Sequence, residues 1–424
     1  MKLLVIGGGG REMAIVTHLA QQGHDVYTAG ASDAIAEIAA SVPMPSTQPP
    51  SCWHELAQTA RDLEVALTIV GSEAPLSTGI ADVFHEYGLP IFAPTLAAAR
   101  IETSKAFAKE VMTRAGVPTA NYQAFTSNAS AMAYLHADNT LYPTVLKENG
   151  LRAGKGVTIA AHREEAEHTL AELELSEDNP LIIEEFLEGF EFSLIVIAHG
   201  TRFVALPVAQ DHKPIGEGNT GANTGGMGAV SPVPRVSDAI YFEAVERVIK
   251  PTLAQMAADG TPFTGFLYAG LIATPTGVKV IEFNARLGDP EAEVILPRLE
   301  ADLAEVALSL LSDGEIPHSF PVTPHTCLGI VLSAPGYPGK VTAYPEIPKA
   351  LLSAVDAHPD AGITHMGTKL REDGAWTAAG GRVAIVTMVG TDIAQCRSQL
   401  LALLEEGLSD SELYYRRDIG TFAY

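Results

Sequence analysis

The sequence predicts a multidomain α/β and α+β chain, with an N-terminal parallel-sheet domain, a module of two α+β lobes and a small C-terminal α+β domain. Three observations carry that prediction. Strand-like and helix-like patterns alternate through residues 1–100. A glycine-rich turn at 150–156 lies between two apolar, strand-like segments. The stretch Val280–Glu293, VIEFNARLGDPEAE, begins as a strand and then presents Glu282, Asn284 and Arg286 at every second position, hence on one face. At 424 residues the chain is too long for one ordinary core.

Composition narrows the function classes. A hydrophobic content of 47% with 18% charged residues describes a soluble globular protein. No apolar run approaches a membrane span, and Met1–Ile6 runs straight into glycines, as a buried strand does and a signal peptide does not. Cys52, Cys327 and Cys396 are far apart and odd in number, which suggests a reducing cytoplasm and neither a disulfide framework nor a zinc site. A net charge of −24 argues against nucleic acid as a partner. It also repels phosphates and carboxylates, so a site for such substrates needs local Lys, Arg or metal.

The N-terminal elements read as strands Leu3–Ile6, Asp25–Ala29, Val65–Val70 and Leu89–Phe92, with helices Arg11–Gln22, Trp53–Asp62 and Leu76–Tyr87 between them. This βαβ rhythm implies a parallel sheet, whose ligands sit at the carboxyl ends of the strands. Two loops there stand out: Gly7–Glu12 and Gly71–Leu76. The first is no dinucleotide fingerprint, because Glu12 and Met13 stand where the last glycine belongs and no acidic residue ends the second strand. Four glycines before a helix can wrap one phosphate, helped by Arg11 and the helix dipole. A tight packing turn accounts for them equally well.

Ile101–Lys109 opens a connector helix that ends near Gly116-Val117-Pro118, and its Lys105 and Lys109 read as a solvated pair one turn apart. Strand Pro143–Glu148 carries Lys147 into Gly150–Gly156, and strand Val157–Ala161 follows. The glycines are no P-loop, since the spacing is one short, Gly156 replaces the hydroxyl residue and a strand follows where a helix belongs. With Lys147, Arg152 and Lys155 in nine residues of an acidic chain, they read as a flap that closes over phosphates. Ile182–Gly189 and Phe190–Ser193 can offer backbone to an adenine edge and Glu191 to a ribose hydroxyl, though solvated acidic residues between strands would look the same.

Next come strand Phe192–Ala198 pairing with Arg202–Ala209, the loop Gln210–Lys213, and a long polar loop from Gly216 to Gly228 with six glycines. Loops that long inside a compact domain are usually functional or disordered. Helix Asp238–Ala258 and strand Gly265–Ala273 lead to the Glu282-Asn284-Arg286 strand. A carboxylate, an amide oxygen and a guanidinium make a poor core but a good seat for Mg²⁺ and polyphosphate; a solvated strand edge is the alternative. Leu328–Ser333, Ile363–Met366 and Val383–Val389 read as strands and Ile393–Glu406 as a helix, while Pro335–Gly339 and Gly380-Gly381-Arg382 are turns that could line a cleft.

In order along nearly the whole chain, GGGGRE, GSEAPL, SKAFAK, LKENGLRAGKGV, IIEEFLEGFEFS, QDHK, NTGANTGGMGAVSP, TGFLYAGL, EFNARLGDPE, GYPG, GTK, GGRV and YRRDIG resemble the glycinamide ribonucleotide synthetase family of ATP-grasp enzymes. The chain departs from the family at Met13, where His is usual, at Ala29–Ser32, where APGN is usual, at Lys147-Glu148-Asn149, where the residue after KA is commonly Asp, and at Arg152, where a small residue is usual. The resemblance implies a pre-ATP-grasp domain at 1–100, a connector helix at 101–122, a small ATP-grasp lobe with the flap at 123–189, a large lobe with the metal site at 190–322, and a C-terminal domain at 323–424. It implies ligation of glycine to 5-phosphoribosylamine with ATP, through glycyl phosphate, by a cytoplasmic protein that acts as a monomer. Another ATP-grasp ligase with a different amine acceptor, or a non-catalytic nucleotide-binding protein, are the rival readings. The implied site has Mg²⁺ or Mn²⁺ on Glu282 and Asn284, with catalytic Arg286, Asp211, Lys213 and Asn223. ATP is met by Lys105, Lys147, Gly154, Lys155, Gly156, Glu184, Glu185, Phe186, Leu187 and Glu191. The other substrates are met by Gly8, Gly9, Gly10, Arg11, Glu12, Glu73, Thr224, Gly225, Gly226, Met227, Asp289, Pro290 and Glu291.

Overall fold

The computed structural model describes residues 1–151 and 156–421. Its N-terminal sheet has five parallel strands: β1 (Lys2–Ile6), β2 (Asp25–Ala29), β3 (Ala40–Val42), β4 (Leu67–Val70) and β5 (Ile91–Phe92), in the order β3-β2-β1-β4-β5. Strand alternation sends Leu3 and Val5 to one face and Leu4 and Ile6 to the other, and each set joins a different core. A sheet covered on both faces reads as a continuous apolar run, as β1 does. Helix α1 (Gly10–Gln21) follows β1 directly, which puts its N-terminus at the carboxyl edge of the sheet.

Two expected helices are broken. Leu76–Tyr87 divides into Glu73–Leu76 and Ile80–Glu86, because Gly79 takes a left-handed φ of 81° between them. The connector is two helices, α2 (Leu96–Thr103) and α3 (Lys105–Ala115). Ser104 sits at φ −138°, ψ 106°, and its hydroxyl accepts the Phe107 N–H at 3.2 Å, starting a new helix with its own N-cap.

The small lobe is an antiparallel sheet of β6 (Tyr122–Phe125), β7 (Thr144–Glu148), β8 (Val157–Ala160) and β9 (Leu181–Glu185), ordered β6-β9-β7-β8. The large lobe contains β10 (Phe190–His199) and β11 (Arg202–Ala205), whose ladder stops four residues short of the expected Ala209.

The loop expected from Gly216 to Gly228 is largely paired. β12 (Gln210–Asp211) precedes a hairpin of β13 (Pro214–Gly216) and β14 (Thr220–Asn223), and β15 (Gly228–Ser231) follows. Few apolar side chains mark these strands, because the hairpin is exposed or half-buried. The helical run after it contains a π segment at Val245–Ile249 between Asp238–Ala244 and Lys250–Ala258. Strands β16 (Thr264–Thr274) and β17 (Gly277–Asn284) complete the sheet β11-β10-β16-β17.

The C-terminal module has β18 (Thr326–Ser333), β19 (Ala361–His365), the small pair β20 (Thr368–Leu370) and β21 (Trp376–Ala378), and β22 (Arg382–Gly390). Its main sheet runs β12-β15-β18-β22-β19, so two strands from residues before 232 are built into it. Helices Leu303–Leu311 and Lys349–Ala357 were not foreseen; Ile393–Gly407 matches expectation closely. One core runs from β1 and α1 through β10 to β18 and β22, which fixes the modules against one another around the site.

Candidate active site

Strand β17 positions the expected trio. A register shift at Gly270/Leu271 pairs Gly270 with Glu282 and Tyr268 with Asn284, so Glu282 and Asn284 share a face. Arg286 follows just past the strand and donates from Nη2 to Asn284 Oδ1 at 3.3 Å and from Nη1 to the Leu287 carbonyl at 3.1 Å.

Arg286 is held by two carboxylates. Glu102 Oε1 lies 3.0 Å from Nη2, and Glu73 Oε2 lies 3.6 Å from Nε. Burial alone would lower the Arg286 pKa, but Glu102, Glu73 and Glu282 raise it, so the guanidinium stays charged. Burial raises the Glu102 carboxyl despite Arg286 and the Ala285 N–H that it accepts at 2.8 Å. Glu102, which holds Arg286, was not singled out from sequence; its signal was the one acid in the short helix LAAARIET.

Cations from separate segments surround Glu282. Burial alone would raise its carboxyl, but Lys213, Lys147, Lys105 and Arg286 outweigh burial and hold it below the ordinary value. Lys213 Nζ stands 3.7 Å from Glu282 Oε1. Lys147 donates to the Ile281 carbonyl at 2.9 Å, and Lys105 to the Gly150 carbonyl at 3.0 Å. Lys213 would be depressed by burial, but Glu282, Tyr268, Glu191 and Asp211 raise it and keep it protonated.

The expected solvated face at Lys109 is overturned. Lys109 is buried, 2.9 Å from Glu184 Oε1, while Lys147 lies 2.9 Å from Glu184 Oε2. Glu184 thus fixes Lys147 from behind. Glu185 pairs with Lys279 at 3.0 Å and accepts from Asn121. Phe186 is exposed and Leu187 half-buried at the end of β9. Gly154 and Lys155 lie outside the described residues; the Gly156 carbonyl accepts the Glu148 N–H at 2.8 Å.

Glu191, Asp211, Lys213 and Tyr268 line one narrow cleft with Ser193 and Ile281. Burial, reinforced by Glu291, pushes the Asp211 carboxyl well above its ordinary range in spite of Lys213 and Arg382. Glu291 is buried and accepts from Ser193 Oγ at 2.8 Å and Tyr268 Oη at 2.9 Å. Asn223 is exposed; Thr224 Oγ1 donates to the Lys213 carbonyl at 2.7 Å and accepts the Gly226 N–H at 2.9 Å. Gly226 is required where it stands: at φ 119° an added Cβ would lie 2.4 Å from Pro290 and 2.6 Å from Asp211 Oδ1. Met227 is a correction. Its side chain is fully buried in the core, its N–H goes to His212 and its carbonyl to Val331, so it faces no substrate.

The edge of the parallel sheet supplies a second, acidic region. The Glu12 carboxylate accepts the Gly9 N–H at 2.6 Å and so caps α1 itself. Arg11 is buried and donates to the Gly71 carbonyl at 2.5 Å, with Glu12 Oε1 at 3.6 Å and Glu73 Oε2 at 3.8 Å. Glu293, not singled out from sequence, is buried beside Gly10, where an added Cβ would lie 2.8 Å from Glu293 Oε1. Burial and Asp289 push the Glu293 carboxyl well up. Gly8 packs on the Gly30 carbonyl, and Met13 accepts the His365 N–H on its sulfur at 3.1 Å, joining α1 to β19.

The donor set suits a hard divalent cation. Glu282 and Asn284 offer oxygens on one face, and the described residues contain no group of three or more His, Cys, Asp or Glu placed to hold a metal ion. A cation there would be completed by substrate oxygens, as Mg²⁺ commonly is.

An N-terminal parallel sheet, a two-lobed module and a strand that presents a carboxylate and an amide to lysines, with a guanidinium just past its end, define an ATP-grasp ligase. Sequence profiles sharpen this: the N, ATP-grasp (A) and C domains of phosphoribosylglycinamide synthetase match residues 1–102, 103–292 and 327–422. The chain belongs to the phosphoribosylglycinamide synthetase family. It is 40% identical to the phosphoribosylamine–glycine ligase of Lactococcus lactis subsp. lactis over 100% of both chains. Against that of Pasteurella multocida it is 42% identical, covering 99% of this chain and 97% of the other. The crystal structure of the Thermotoga maritima phosphoribosylamine–glycine ligase superposes with a TM-score of 0.81 at 26% identity, covering 99% of this chain and 100% of that one. A biotin carboxylase from Campylobacter jejuni shares the fold at a TM-score of 0.70 and 14% identity, over 98% of this chain and 91% of that one.

Proposed function

We propose that this chain joins glycine to 5-phosphoribosylamine at the expense of ATP, giving glycinamide ribonucleotide, ADP and phosphate. The observation that carries the reading is the ring of Lys213, Lys147, Lys105 and Arg286 around Glu282. Four cations about one carboxylate favour a polyphosphate and disfavour a bare metal ion, so metal and nucleotide are expected to enter together. Relatives named for this reaction, about 40% identical over the full length, support it.

A carboxylate is a poor acyl donor because its leaving group would be oxide. A glycine carboxylate oxygen therefore takes the γ-phosphoryl group of ATP and ADP leaves. The amine nitrogen of phosphoribosylamine then attacks the acyl carbon, phosphate departs, and the nitrogen loses a proton. Phosphoryl transfer is chiefly positioning and charge neutralisation. Lys105, Lys147 and the 150–156 flap would steady the phosphates, and Arg286, fixed by Glu102, would face the acyl phosphate or the glycine carboxylate. A divalent cation, Mg²⁺ or Mn²⁺, held by Glu282 and Asn284, supplies further neutralisation of phosphate charge when bound. Backbone near Phe186–Leu187 and Glu191 would meet adenosine. Asp211, Lys213 and the Asn223–Gly226 loop would line the glycine side. The flap would exclude water, because acyl phosphates hydrolyse. No helix among the described residues is long and apolar enough to cross a membrane. We take the working form to be a cytoplasmic monomer.

The test is phosphate release with Mg-ATP, adding glycine and phosphoribosylamine singly and together, the amine generated in place from ribose 5-phosphate and ammonia. Release that requires both supports the reaction. Release with glycine alone, unaffected by the amine, would assign another acceptor.

A further inference from the structure

We propose that the 5-phosphate of the acceptor is held in the cavity between the Asn223–Gly226 loop and the C-terminal module, against Arg382, and not at the Gly8–Glu12 loop. This deepens the ligase reading above and rests on it. The resemblance directs the ribose phosphate to Gly8–Glu12, but the chemistry there is wrong for a dianion. The Gly9 N–H is already taken by Glu12 at 2.6 Å. Arg11 directs Nη1 to the Gly71 carbonyl, with Glu12 and Glu73 beyond it, and its buried Nε has no partner among the described residues. Glu293 closes on Gly10, with both carboxyl oxygens lacking a hydrogen-bond partner. A phosphate at this corner would face three carboxyl groups against one buried guanidinium. Sugar hydroxyls, which donate to carboxylates, suit it better.

The cavity offers the opposite chemistry. It measures about 310 Å³ and is lined by Thr224, Gly225, Tyr337, Gly339, Gly381 and Arg382. That is the low end of ordinary small-molecule pockets, on the order of 300 Å³ and upward. Arg382 is locked in place: its Nη1 donates to the Gly225 and Asp289 carbonyls, both at 2.8 Å, and lies 2.9 Å from Asp289 Oδ1. Its plane stacks on Gly225, where a Cβ would sit 3.0 Å from Cζ. Nε and Nη2 form no hydrogen bond among the described residues, which leaves one edge of the guanidinium free for the two-point contact that phosphate takes. The backbone N–H groups of Gly339 and Gly381 have no acceptor among the described residues, and Lys340 is exposed next to Gly339.

The chain connects this cavity to the chemistry. Asp289, which Arg382 grips, is three residues beyond Arg286, and Gly226 packs on Pro290. A phosphoribosyl group anchored at Arg382 would lay its hydroxyls toward the acidic corner and its C1 amine toward Arg286. The two turns expected to line a cleft, Pro335–Gly339 and Gly380–Arg382, become the walls of a subsite.

Calorimetric titration of the full chain with ribose 5-phosphate and with ribose, in the presence of Mg-ADP, tests the proposal. Arg382→Gln should weaken ribose 5-phosphate about tenfold or more, as loss of charged hydrogen bonds does, and leave ribose unchanged. Gly339→Glu, at an exposed position of ordinary backbone geometry, should weaken ribose 5-phosphate similarly by placing a carboxylate in the cavity, and retained ADP binding checks that both variants are folded. Unchanged ribose 5-phosphate affinity in Gly339→Glu, or a loss confined to Arg11→Gln, overturns the subsite. So does the absence of saturable ribose 5-phosphate binding to the wild-type chain. None of these outcomes bears on the ligase reaction, which the phosphate-release assay reads separately.

Discussion

Replacing Glu184 by glutamine should destabilise the small lobe by about 3–4 kcal/mol near neutral pH, and the loss should shrink as pH rises. Glu184 is buried between Lys109 and Lys147, one carboxylate oxygen 2.9 Å from each ammonium, with both lysines also buried. Glutamine keeps the shape but removes the charge, and its NH₂ faces one of the two ammoniums. Breaking a buried ion pair from one side costs about 3–5 kcal/mol. An upper bound follows from titration. A stranded lysine need never cost more than losing its proton, which at pH 7.5 against an ordinary value of about 10.4 is roughly 4 kcal/mol. Burial already lowers Lys109, although Glu184 opposes this. The measurement is urea unfolding of wild type and Glu184→Gln from pH 7 to 9, followed by hydrogen exchange in β7 and β9. Where the variant folds with a neutral lysine, its deficit should recover by about 1.4 kcal/mol per pH unit. Adding Lys109→Met should restore part of the loss, since one stranded ammonium is then gone, and KM for ATP should rise in Glu184→Gln because Lys147 loses its rear support. A deficit below about 1 kcal/mol, or one indifferent to pH, would refute the reasoning.

Three further outcomes are expected. Glu282→Ala and Asn284→Ala should each abolish ATP-dependent phosphate release while leaving the thermal transition near that of the wild type; near-normal activity in either sinks the metal assignment. Glu293→Gln should stabilise the chain at pH 8. Burial raises the folded-state pKa of Glu293, so the unfolded chain releases the proton first as pH rises above about 4.3. The folded state is increasingly penalised from there upward, and the advantage of the variant should vanish on acidification; denaturant midpoints at pH 4.5 and pH 8 check this. His365 is lowered by burial to about 4. The unfolded chain therefore takes up the proton first as pH falls below about 6.5, and stability drops from there to about pH 4, by up to roughly 3 kcal/mol. His365→Gln should flatten that part of the pH profile.

How much of this was legible in the sequence depended on whether a residue's partners lay close along the chain. β1, β2 and the shared face of Glu282 and Asn284 could be read because strand alternation and turn glycines are local patterns, whereas Arg286 falls just past the end of the strand. The roles of Lys109 and Glu184 could not, since their pairing needs α3 to cross β9, seventy-five residues away in sequence. A lysine pair at helical spacing looks solvated until a distant carboxylate is shown to be buried against it. Glu102 was hidden for the same reason: the one acid of a short helix has meaning only once Arg286 arrives from just past β17. The polar hairpin at 214–223 was missed because its strands bury little, so no apolar alternation marks them.

The charge balance shows how these distant pairings act together. At −24 the chain repels its own substrates, and the sequence required local cations without showing where they would meet. Folding does more than gather them. It sets four cations around Glu282 and gathers acids around Glu12, Asp289 and Glu293, with Arg286 and Arg382 at the boundary between the two groups. A polyphosphate is favoured on one side of that boundary and hydroxyls or an amine on the other. On the proposed reading, the polarity between the two regions would orient both substrates toward Arg286, and it arises from residues that no single stretch of sequence brings together.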